Sequence, residues 1–210
     1  MTIDVATAWI YHITDVSNLP HILAAGGLRS DAALKTAGVQ PTVIGNNIIK
    51  QRRLQELTVP CCGGRFVGEF VPFYFCPRSP MLFTINRGNT GRTSGCQKDI
   101  VHLVSSMKIA IELRRDWAFS SGNAGARLTD FFADVADLAE LDWGIIRSND
   151  WAGESRRDKK AAEFLVADFV PWEAIQSIGC YDAEIAQQVN KLLKDSTQPP
   201  AIKVEQEWYY

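Results

Sequence analysis

One glutamate stands where a strand is expected to begin, directly after a basic segment. Glu163 precedes the apolar run Phe164-Leu165-Val166. The basic residues just before it are Arg156, Arg157, Lys159 and Lys160. A carboxylate at a strand edge beside cations can stay ionised and face a cleft, where it could stabilise developing positive charge or accept a proton. The alternative interpretation is an ordinary exposed glutamate at a strand end.

Two further groups of polar residues suit a phosphorylated ligand. In the run Tyr-His-Ile-Thr at 11–14, an alternating strand would turn His12 and Thr14 to the same side, where they could hydrogen-bond a ribose. Arg52 and Arg53 lie in a predicted helix and could hold a diphosphate by fork-type hydrogen bonds. A lone histidine on a strand and a charged helix face are also common as structural features, so neither group identifies a ligand alone.

The run from Val71 to Leu82 joins an aromatic strand to a rigid turn. Its sequence is Val-Pro-Phe-Tyr-Phe-Cys-Pro-Arg-Ser-Pro-Met-Leu. Pro77 and Pro80 supply no ladder donor, so the strand is expected to stop before the Arg78-Ser79 turn. Aromatic rings beside a cation and a hydroxyl suit a slot for a flat polar ring, although a buried strand followed by a loop would have the same composition.

The bulk composition is that of a globular protein. The chain has 210 residues, 46% of them hydrophobic and 22% charged, which predicts one domain over residues 1–210. No apolar window approaches the ~20 residues of a membrane span, and the start Met-Thr-Ile-Asp-Val does not resemble a signal peptide. Five cysteines without zinc-site spacing and three histidines predict no metal site and a reducing, cytoplasmic setting.

Charge is distributed unevenly along the chain. Residues 32–98 carry nine basic side chains against Glu56 and Glu69, whereas residues 164–210 carry seven acids against three lysines. Such segregation is typical of a surface that faces a polyanion, although two differently charged solvated faces would give the same pattern. The sequence pI of about 5.9 argues against indiscriminate nucleic-acid binding.

The order of predicted elements favours an α+β fold, with many short strands and peripheral helices. Strands are predicted at 8–13, 63–75, 100–104, 108–113, 162–170 and 175–180, with 105–106 as the turn of a strand pair. Helices are predicted after an Asn18 N-cap, at 46–57, at 127–141, and at 183–194 after an Asp182 N-cap. Residues 86–97 and 148–160 are predicted loops, and an extended tail follows Pro199-Pro200.

Taken in order, several of these segments resemble one family, DarT, the DNA ADP-ribosyltransferase toxin of the DarT–DarG toxin–antitoxin pair. The resemblance runs from about residue 9 to 170. The resemblance depends on Tyr-His-Ile-Thr at 11–14, Asn-Leu-Pro with Gly-Gly-Leu at 26–28, Arg52-Arg53, the run at 71–82, and Lys-Ala-Ala-Glu-Phe-Leu-Val at 160–166. The run at 71–82 is the segment most specific to the family. The tail after Val170 contributes little.

The resemblance implies an ADP-ribosyltransferase fold, in which a split, mostly antiparallel β-sheet with peripheral helices binds NAD in a cleft. It implies that Glu163 is catalytic, as a contact of the nicotinamide ribose and the nearest general base, with Arg53 or Arg52 on the diphosphate and Arg53 slightly favoured. As a strand-edge residue, Glu163 is expected to contribute little to packing. The other implied NAD contacts are His12, Thr14, Asn18, Leu28, Tyr74, Phe75 and Ser79.

The resemblance also implies single-stranded DNA as the acceptor, with thymidine the usual base and guanosine the target in another branch. The candidate DNA contacts are Arg92, Lys98, Arg147, Trp151, Arg156 and Arg157, where Trp151 could stack on an unpaired base. A DarG antitoxin with an ADP-ribosyl-hydrolase macrodomain is the implied protein partner, and no membrane is. An NAD glycohydrolase, a protein-directed transferase and an inactive binding module remain alternatives.

Overall fold

The computed structural model describes residues 4–5, 8–194, 196 and 198–210, so the first residues, considered above for a signal peptide, lie largely outside the described part. Twelve strands occur within it. They are β1 (Trp9–Asp15), β2 (Gly27–Arg29), β3 (Thr58–Val59), β4 (Arg65–Phe66), β5 (Phe70–Tyr74), β6 (Ile100–Ser106), β7 (Trp117–Asn123), β8 (Phe131–Phe132), β9 (Ala162–Ala167), β10 (Phe169–Pro171), β11 (Ser177–Cys180) and β12 (Ala201–Val204).

The α-helices of the described residues are short and lie around the strands. They are α1 (Leu19–Ala24), α2 (Asp31–Thr36), α3 (Asn47–Gln55), α4 (Pro80–Asn86), α5 (Met107–Glu112), α6 (Trp143–Arg147), α7 (Glu154–Lys160) and α8 (Ala183–Leu192). Single 3₁₀ turns join several elements. None of these helices has the length and apolarity needed to cross a bilayer.

Eight strands form one sheet in the order β12-β11-β6-β1-β5-β9-β7-β8. All neighbours in it are antiparallel except β11 and β12, which are parallel and are connected through α8. A parallel pair requires such a crossover, because its strand ends lie at opposite edges. The predicted α+β class and the mostly antiparallel sheet are confirmed.

The sheet divides between β1 and β5. β1 pairs with β6 over its whole length, and β5 pairs with β9 from Phe70 to Tyr74. Between β1 and β5, by contrast, the register within the described residues is the single pair Tyr11 and Tyr74. The two halves therefore diverge beyond this pair and leave a cleft in which polar side chains of both strands can meet.

Apolar side chains fix the two halves in place. Phe73, Phe119 and Phe164 are buried on neighbouring strands, with Trp117 stacked on Phe164 at 5.6 Å between ring centroids. Full burial of such a side chain contributes about 1.5–3 kcal/mol. The core therefore holds β5, β9 and β7 as a rigid base under the cleft.

One predicted strand is a helix. Residues 108–113 alternate in polarity, but Met107–Glu112 form α5, because the Ser106 hydroxyl accepts a hydrogen bond from the Ile109 N–H and caps a helix. The two serines at 105–106 accordingly end β6 and do not form a hairpin turn.

The predicted helix at 127–141 is also wrong. Phe131 and Phe132 form β8 against the edge strand β7, and Phe132 stacks on Phe119 at 5.3 Å. A 3₁₀ helix follows at Val135–Glu140, capped by Asp134. Pairing with an unoccupied sheet edge outweighs the helical periodicity, and it leaves Leu128, one of the apolar residues of that period, 97% exposed.

The segment predicted as a loop at 148–160 is half helical. Residues 148–153 are irregular, and α7 begins at Glu154 after Gly153, whose φ of +96° favours glycine. Glu154 lies in the first turn and Arg157, Lys159 and Lys160 in the last, which suits the helix dipole. The cations before Glu163 thus lie on a helix. The helices predicted at 46–57 and 183–194 are confirmed as α3 and α8, the latter with its predicted Asp182 cap, and the Asn46 side chain caps α3.

Candidate active site

A cavity of about 840 Å³ lies at the split between β1 and β5. Its volume falls within the range of about 300–1,000 Å³ that is typical of small-molecule sites. The predicted residues in its wall are His12, Thr14, Asn18, Leu28, Arg53, Tyr74, Arg157 and Glu163. The fold therefore brings together side chains that are distant in sequence.

An ion pair between Glu163 and Arg53 lies in the cavity wall. The two guanidinium nitrogens of Arg53 donate to the two carboxylate oxygens of Glu163 at 3.0 and 2.9 Å. The side chain of Glu163 is 1% exposed and that of Arg53 is 14% exposed. Burial opposes the charge of Arg53, but the attraction and hydrogen bonds of Glu163 raise the pKa of that guanidinium above its usual value.

Glu163 lies near the start of its strand, as predicted, but its side chain is buried, contrary to the expectation that it contributes little to packing. It lies in β9, between β5 and β7, and its main-chain N–H donates to the Ser120 hydroxyl at 3.0 Å. Because the register of β7 is irregular between Phe119 and Asn123, the N–H of Ala124 reaches the Glu163 Oε1 at 3.1 Å. Oε1 thus accepts two hydrogen bonds and Oε2 accepts one from the described residues. Each carboxylate oxygen has about two acceptor sites, so Oε2 retains one.

Arg53 reaches Glu163 because α3 lies close to the sheet. Gly68 packs against Leu54 of this helix, where a Cβ added at Gly68 would lie 2.7 Å from the Leu54 Cδ2. Arg52, the neighbouring residue, points to the other side of α3, and its Nε lies 3.5 Å from Glu56. Arg52 is not among the cavity-lining residues, so the geometry favours Arg53 as the ligand-facing arginine.

His12 and Thr14 lie in the cavity wall on the same side of β1, as the alternation predicted. The Nδ1 of His12 lies 2.8 Å from the carbonyl oxygen of Pro72 on β5, so this nitrogen carries the proton and bridges the split. Burial lowers the pKa of His12, against the opposing effect of the Pro72 bond. A neutral ring with Nδ1 protonated leaves Nε2 as an acceptor for a ligand hydroxyl.

Asn18 shapes the cavity through the loop at 39–46. Its amide nitrogen donates to the Thr14 hydroxyl at 3.1 Å and to the Thr42 carbonyl oxygen at 3.0 Å, and its Oδ1 accepts from the Thr42 N–H at 2.8 Å. The predicted Asn18 side-chain cap of α1 is not formed, because these bonds occupy the amide.

Of the three predicted residues of the 71–82 run, only Tyr74 lines the cavity. Burial, with a smaller effect of Glu163, raises the pKa of Tyr74, so its hydroxyl stays protonated. Phe75 instead packs on Trp143 at 5.2 Å between ring centroids, and the buried Ser79 hydroxyl accepts from the Leu82 N–H at the start of α4. Phe75 and Ser79 therefore support the wall from behind, contrary to the expected ligand contact.

The sequence profile of the family described as "ssDNA thymidine ADP-ribosyltransferase, DarT" matches residues 11–210. The chain belongs to the DarT family. A "DNA ADP-ribosyl transferase" of Thermus aquaticus is 39% identical over 204 residues, which cover 96% of this chain and 88% of the relative. The predicted resemblance is confirmed, and it extends beyond Val170 to the end of the matched range.

Solved structures of a DarT from Thermus sp. 2.9 are similar to this protein over nearly its whole length. Its complex with ADP-ribosylated single-stranded DNA has a TM-score of 0.89 at 34% identity, over 98% of this chain and 97% of the other. Its complex with NAD⁺ has a TM-score of 0.84, over 97% and 98%. A transferase–"DNA ADP-ribosyl glycohydrolase fusion protein" of Thermosipho africanus is 27% identical, over 90% of this chain and 47% of the fusion. The ADP-ribosyltransferase fold is thereby confirmed.

The predicted DNA contacts divide into two groups. Arg157 lines the cavity and also a second, open groove, to which Trp151 belongs; Arg156 lies one residue earlier on α7 and pairs with Asp150. Arg156 and the remaining three residues lie outside both cavity walls. Arg92 pairs with the buried Asp15 at 2.5 Å and is largely neutralised there, Lys98 is exposed, and Arg147 lies over the Trp143 ring at 5.5 Å.

Several residues that hold the site were not predicted. Ser120 and the main chain of Ala124 form hydrogen bonds with Glu163. Gly68 has no side chain and so leaves room for α3. Asp158 accepts a hydrogen bond from the Asn123 N–H at 3.3 Å. Burial raises the pKa of Asp158, which also lines the cavity. Small residues at 120–125 were the available signal, but their role depends on the irregular register of β7.

Proposed function

We propose that this protein transfers ADP-ribose from NAD to a thymidine base of single-stranded DNA. The observation that carries the proposal is the buried Glu163–Arg53 pair in the wall of the split-sheet cavity, beside an open groove that Trp151 and Arg157 line. The NAD⁺ and DNA complexes of the Thermus DarT support both the co-substrate and the acceptor.

NAD would lie along the cavity between β1 and β9. The Nε2 of His12 and the hydroxyl of Thr14 would accept and donate hydrogen bonds at the adenosine ribose, next to Leu28. Arg53 would hold the diphosphate with the in-plane N–H donors that Glu163 does not occupy, since phosphate and carboxylate both match its fork of donors. The nicotinamide ribose would then lie at Glu163 and Tyr74.

Transfer exchanges one bond at the ribose C1′ for another. The bond from C1′ to the nicotinamide nitrogen breaks, and its electron pair leaves with nicotinamide; a ring nitrogen of the base loses its proton and bonds to C1′. Glu163 would bind the 2′-hydroxyl through its free Oε2 site and stabilise the positive charge that develops on the ribose. It is also the nearest candidate to accept the proton of the base.

Transfer differs from NAD hydrolysis in that a DNA base, and not water, must lie next to the ribose C1′. Arg157 lines both the cavity and the groove that contains Trp151, so a strand bound in the groove would reach the cavity mouth. We expect phosphate contacts from Arg156 and Arg157 and base stacking by Trp151. Lys98, Arg92 and Arg147 would contribute at most at the margin of this surface.

Labelled NAD and matched oligonucleotides test the proposal. The protein is incubated with a single-stranded oligonucleotide that contains one thymidine, the same sequence as a duplex, a thymidine-free strand, RNA and a protein mixture. Label should enter only the thymidine-containing single strand, because a paired base cannot reach the cavity. Label on the thymidine-free strand or on protein would refute the acceptor, and free ADP-ribose alone would indicate a glycohydrolase.

We also propose that a macrodomain ADP-ribosyl hydrolase of the DarG type acts on the product. The fused glycohydrolase of the Thermosipho relative supports this partnership. A purified DarG-type macrodomain should release the label from the modified oligonucleotide; label that resists it would contradict the proposal.

A further inference from the structure

The groove beside the active site is built from three aromatic rings and an arginine. Phe83, Trp151 and Tyr210 lie edge to face, with ring centroids 5.1 Å apart for Phe83 and Tyr210 and 5.2 Å apart for Phe83 and Trp151. The Arg78 guanidinium carbon lies 4.6 Å from the centre of the Tyr210 ring. The groove has a volume of about 740 Å³. An edge-to-face contact covers only one face of the receiving ring, and all three rings are only half-buried, so the cluster retains surface on which a ligand could stack.

Each wall of the groove is fixed by hydrogen bonds. The Tyr210 hydroxyl donates to the carbonyl oxygen of Arg78 at 2.9 Å, and its main chain exchanges two hydrogen bonds with the Gln97 side chain. On the opposite side, the buried ammonium of Lys160 donates to the carbonyls of Ile146 and Ser148 at 2.9 and 2.8 Å. Lys160 thereby holds the segment that leads into Trp151. The groove is thus preformed, which reduces the entropy lost on binding.

An unsatisfied donor favours a ligand that carries a hydrogen-bond acceptor on an aromatic ring. Arg78 and Arg157 line the groove together with Asp150 and Glu154, Asp150 pairs with Arg156, and Arg87 lies over the outer Phe83 at 5.3 Å. The Nε of Arg78 is buried and has no hydrogen-bond partner among the described residues. An acceptor on a ligand could satisfy it after a small shift of the guanidinium.

Position relates the groove to the acceptor strand. Glu154 and Arg157 line both the groove and the cavity that contains Glu163. A strand whose reacting base enters the cavity must therefore carry its next nucleotides past the aromatic cluster. We propose that this groove binds an unpaired base neighbouring the modified nucleotide, with Tyr210, Phe83 and Trp151 as stacking partners and Arg78 as the donor to its edge. The assignment rests on the proposed function, and it makes this groove the determinant of sequence context.

Oligonucleotides with a single missing base test the inference. A set of single strands carries one thymidine and one abasic site, which is moved from three positions before the thymidine to three positions after it. In the wild type, an abasic site at one neighbouring position should lower kcat/KM by roughly 5- to 100-fold, the scale of one stacked base. If every abasic strand reacts like the intact one, no neighbouring base is bound and the inference fails.

Variants locate that base in the groove. Tyr210→Ala and Phe83→Ala should each lower kcat/KM on the intact strand and abolish the additional effect of the abasic site, because the stacking partner is already lost. Tyr210→Phe keeps the ring and should keep the sensitivity. Trp9→Ala removes an exposed aromatic side chain elsewhere and serves as the matched control. Full sensitivity in both alanine variants would overturn the assignment.

The outcomes separate this inference from the proposed function. If the wild type labels no single strand, the proposed function itself has failed. If it labels the strands but the variants respond to the abasic sites as the wild type does, only the groove assignment has failed. NAD affinity, measured by calorimetry for each variant, shows whether a substitution has disturbed the cavity, and Tyr210→Phe tests the groove with the smallest disturbance of the fold.

Discussion

Replacing Glu163 by glutamine should both inactivate and destabilise the protein. The isosteric amide keeps the volume but removes the charge, and either orientation sets its NH₂ group against a donor, because Arg53 donates to both oxygens and Ala124 to Oε1. Removing one partner of a buried pair costs about 3–5 kcal/mol. Arg53 is 14% exposed toward the cavity, so water can solvate it in part, and we expect a loss of about 2–3 kcal/mol in the free energy of unfolding.

A double-mutant cycle isolates the ion pair. Arg53→Gln alone should cost a similar amount, because it leaves the Glu163 carboxylate without its partner. The combined Glu163→Gln/Arg53→Gln variant should cost little more than either single change, giving a coupling energy of about 2 kcal/mol. Arg52→Gln is the matched control, since its partner Glu56 is more than half exposed, and it should cost less than about 0.5 kcal/mol.

Urea unfolding and label transfer from NAD measure the two effects. Glu163→Gln should lower transfer at least ~100-fold, the scale of one transition-state electrostatic contact. Transfer within tenfold of the wild type would exclude Glu163 as the catalytic carboxylate. Strictly additive stabilities in the cycle would show that the Glu163–Arg53 pair is open in solution, and the role derived from its geometry would fall.

Other expectations concern ligands and pH. Arg53→Ala should weaken NAD binding at least tenfold in calorimetry through the loss of bidentate donors, whereas Arg52→Ala should change it less than twofold; equal effects would refute the choice between them. Trp151→Ala should reduce DNA labelling roughly 5- to 100-fold and slow NAD hydrolysis much less. Assays of both activities on the same preparation measure the difference. When the DNA concentration is below saturation, labelling should fall steeply between 50 and 200 mM salt, with a slope of about −0.7 per phosphate contact in a log–log plot. Labelling that does not change with salt would exclude a phosphate-binding surface. Burial lowers the pKa of His102 from 6.5 to about 4, so the unfolded chain takes up a proton that the folded state resists. The free energy of unfolding should therefore decrease as the pH falls from 6.5 to 4, by roughly 3 kcal/mol. If the free energy from urea unfolding fell with pH by the same amount in the wild type and in His102→Gln, this expectation would be wrong.

The sequence by itself was sufficient for the family and for many of the residues that line the cavity. Local signals such as the Asp182 cap and the apolar strand after Glu163 act through neighbouring residues, so they can be recognised without the fold. The motif at 71–82 and the segment at 160–166 carried the resemblance that the family profile confirms. Strand alternation was enough to place His12 and Thr14 on one side of β1.

Secondary structure failed where periodicity was ambiguous or a sheet edge intervened. Residues 108–113 fit both a strand and a short helix, and the Ser106 cap decides for the helix. Residues 127–141 have a helical period, but Phe131 and Phe132 gain backbone bonds at the edge of β7. The second effect depends on a strand that no local window contains.

Only the tertiary structure distinguished Arg53 from Arg52. Adjacent helical residues point about 100° apart, and α3 has no continuous apolar stripe to show which side faces the sheet, since Ile48 is 72% exposed. The contact of Leu54 with Gly68 sets that rotation. The bidentate pair then joins residues 110 positions apart, because the register of β9 and the approach of α3 bring a carboxylate and a guanidinium to the same point of the cleft.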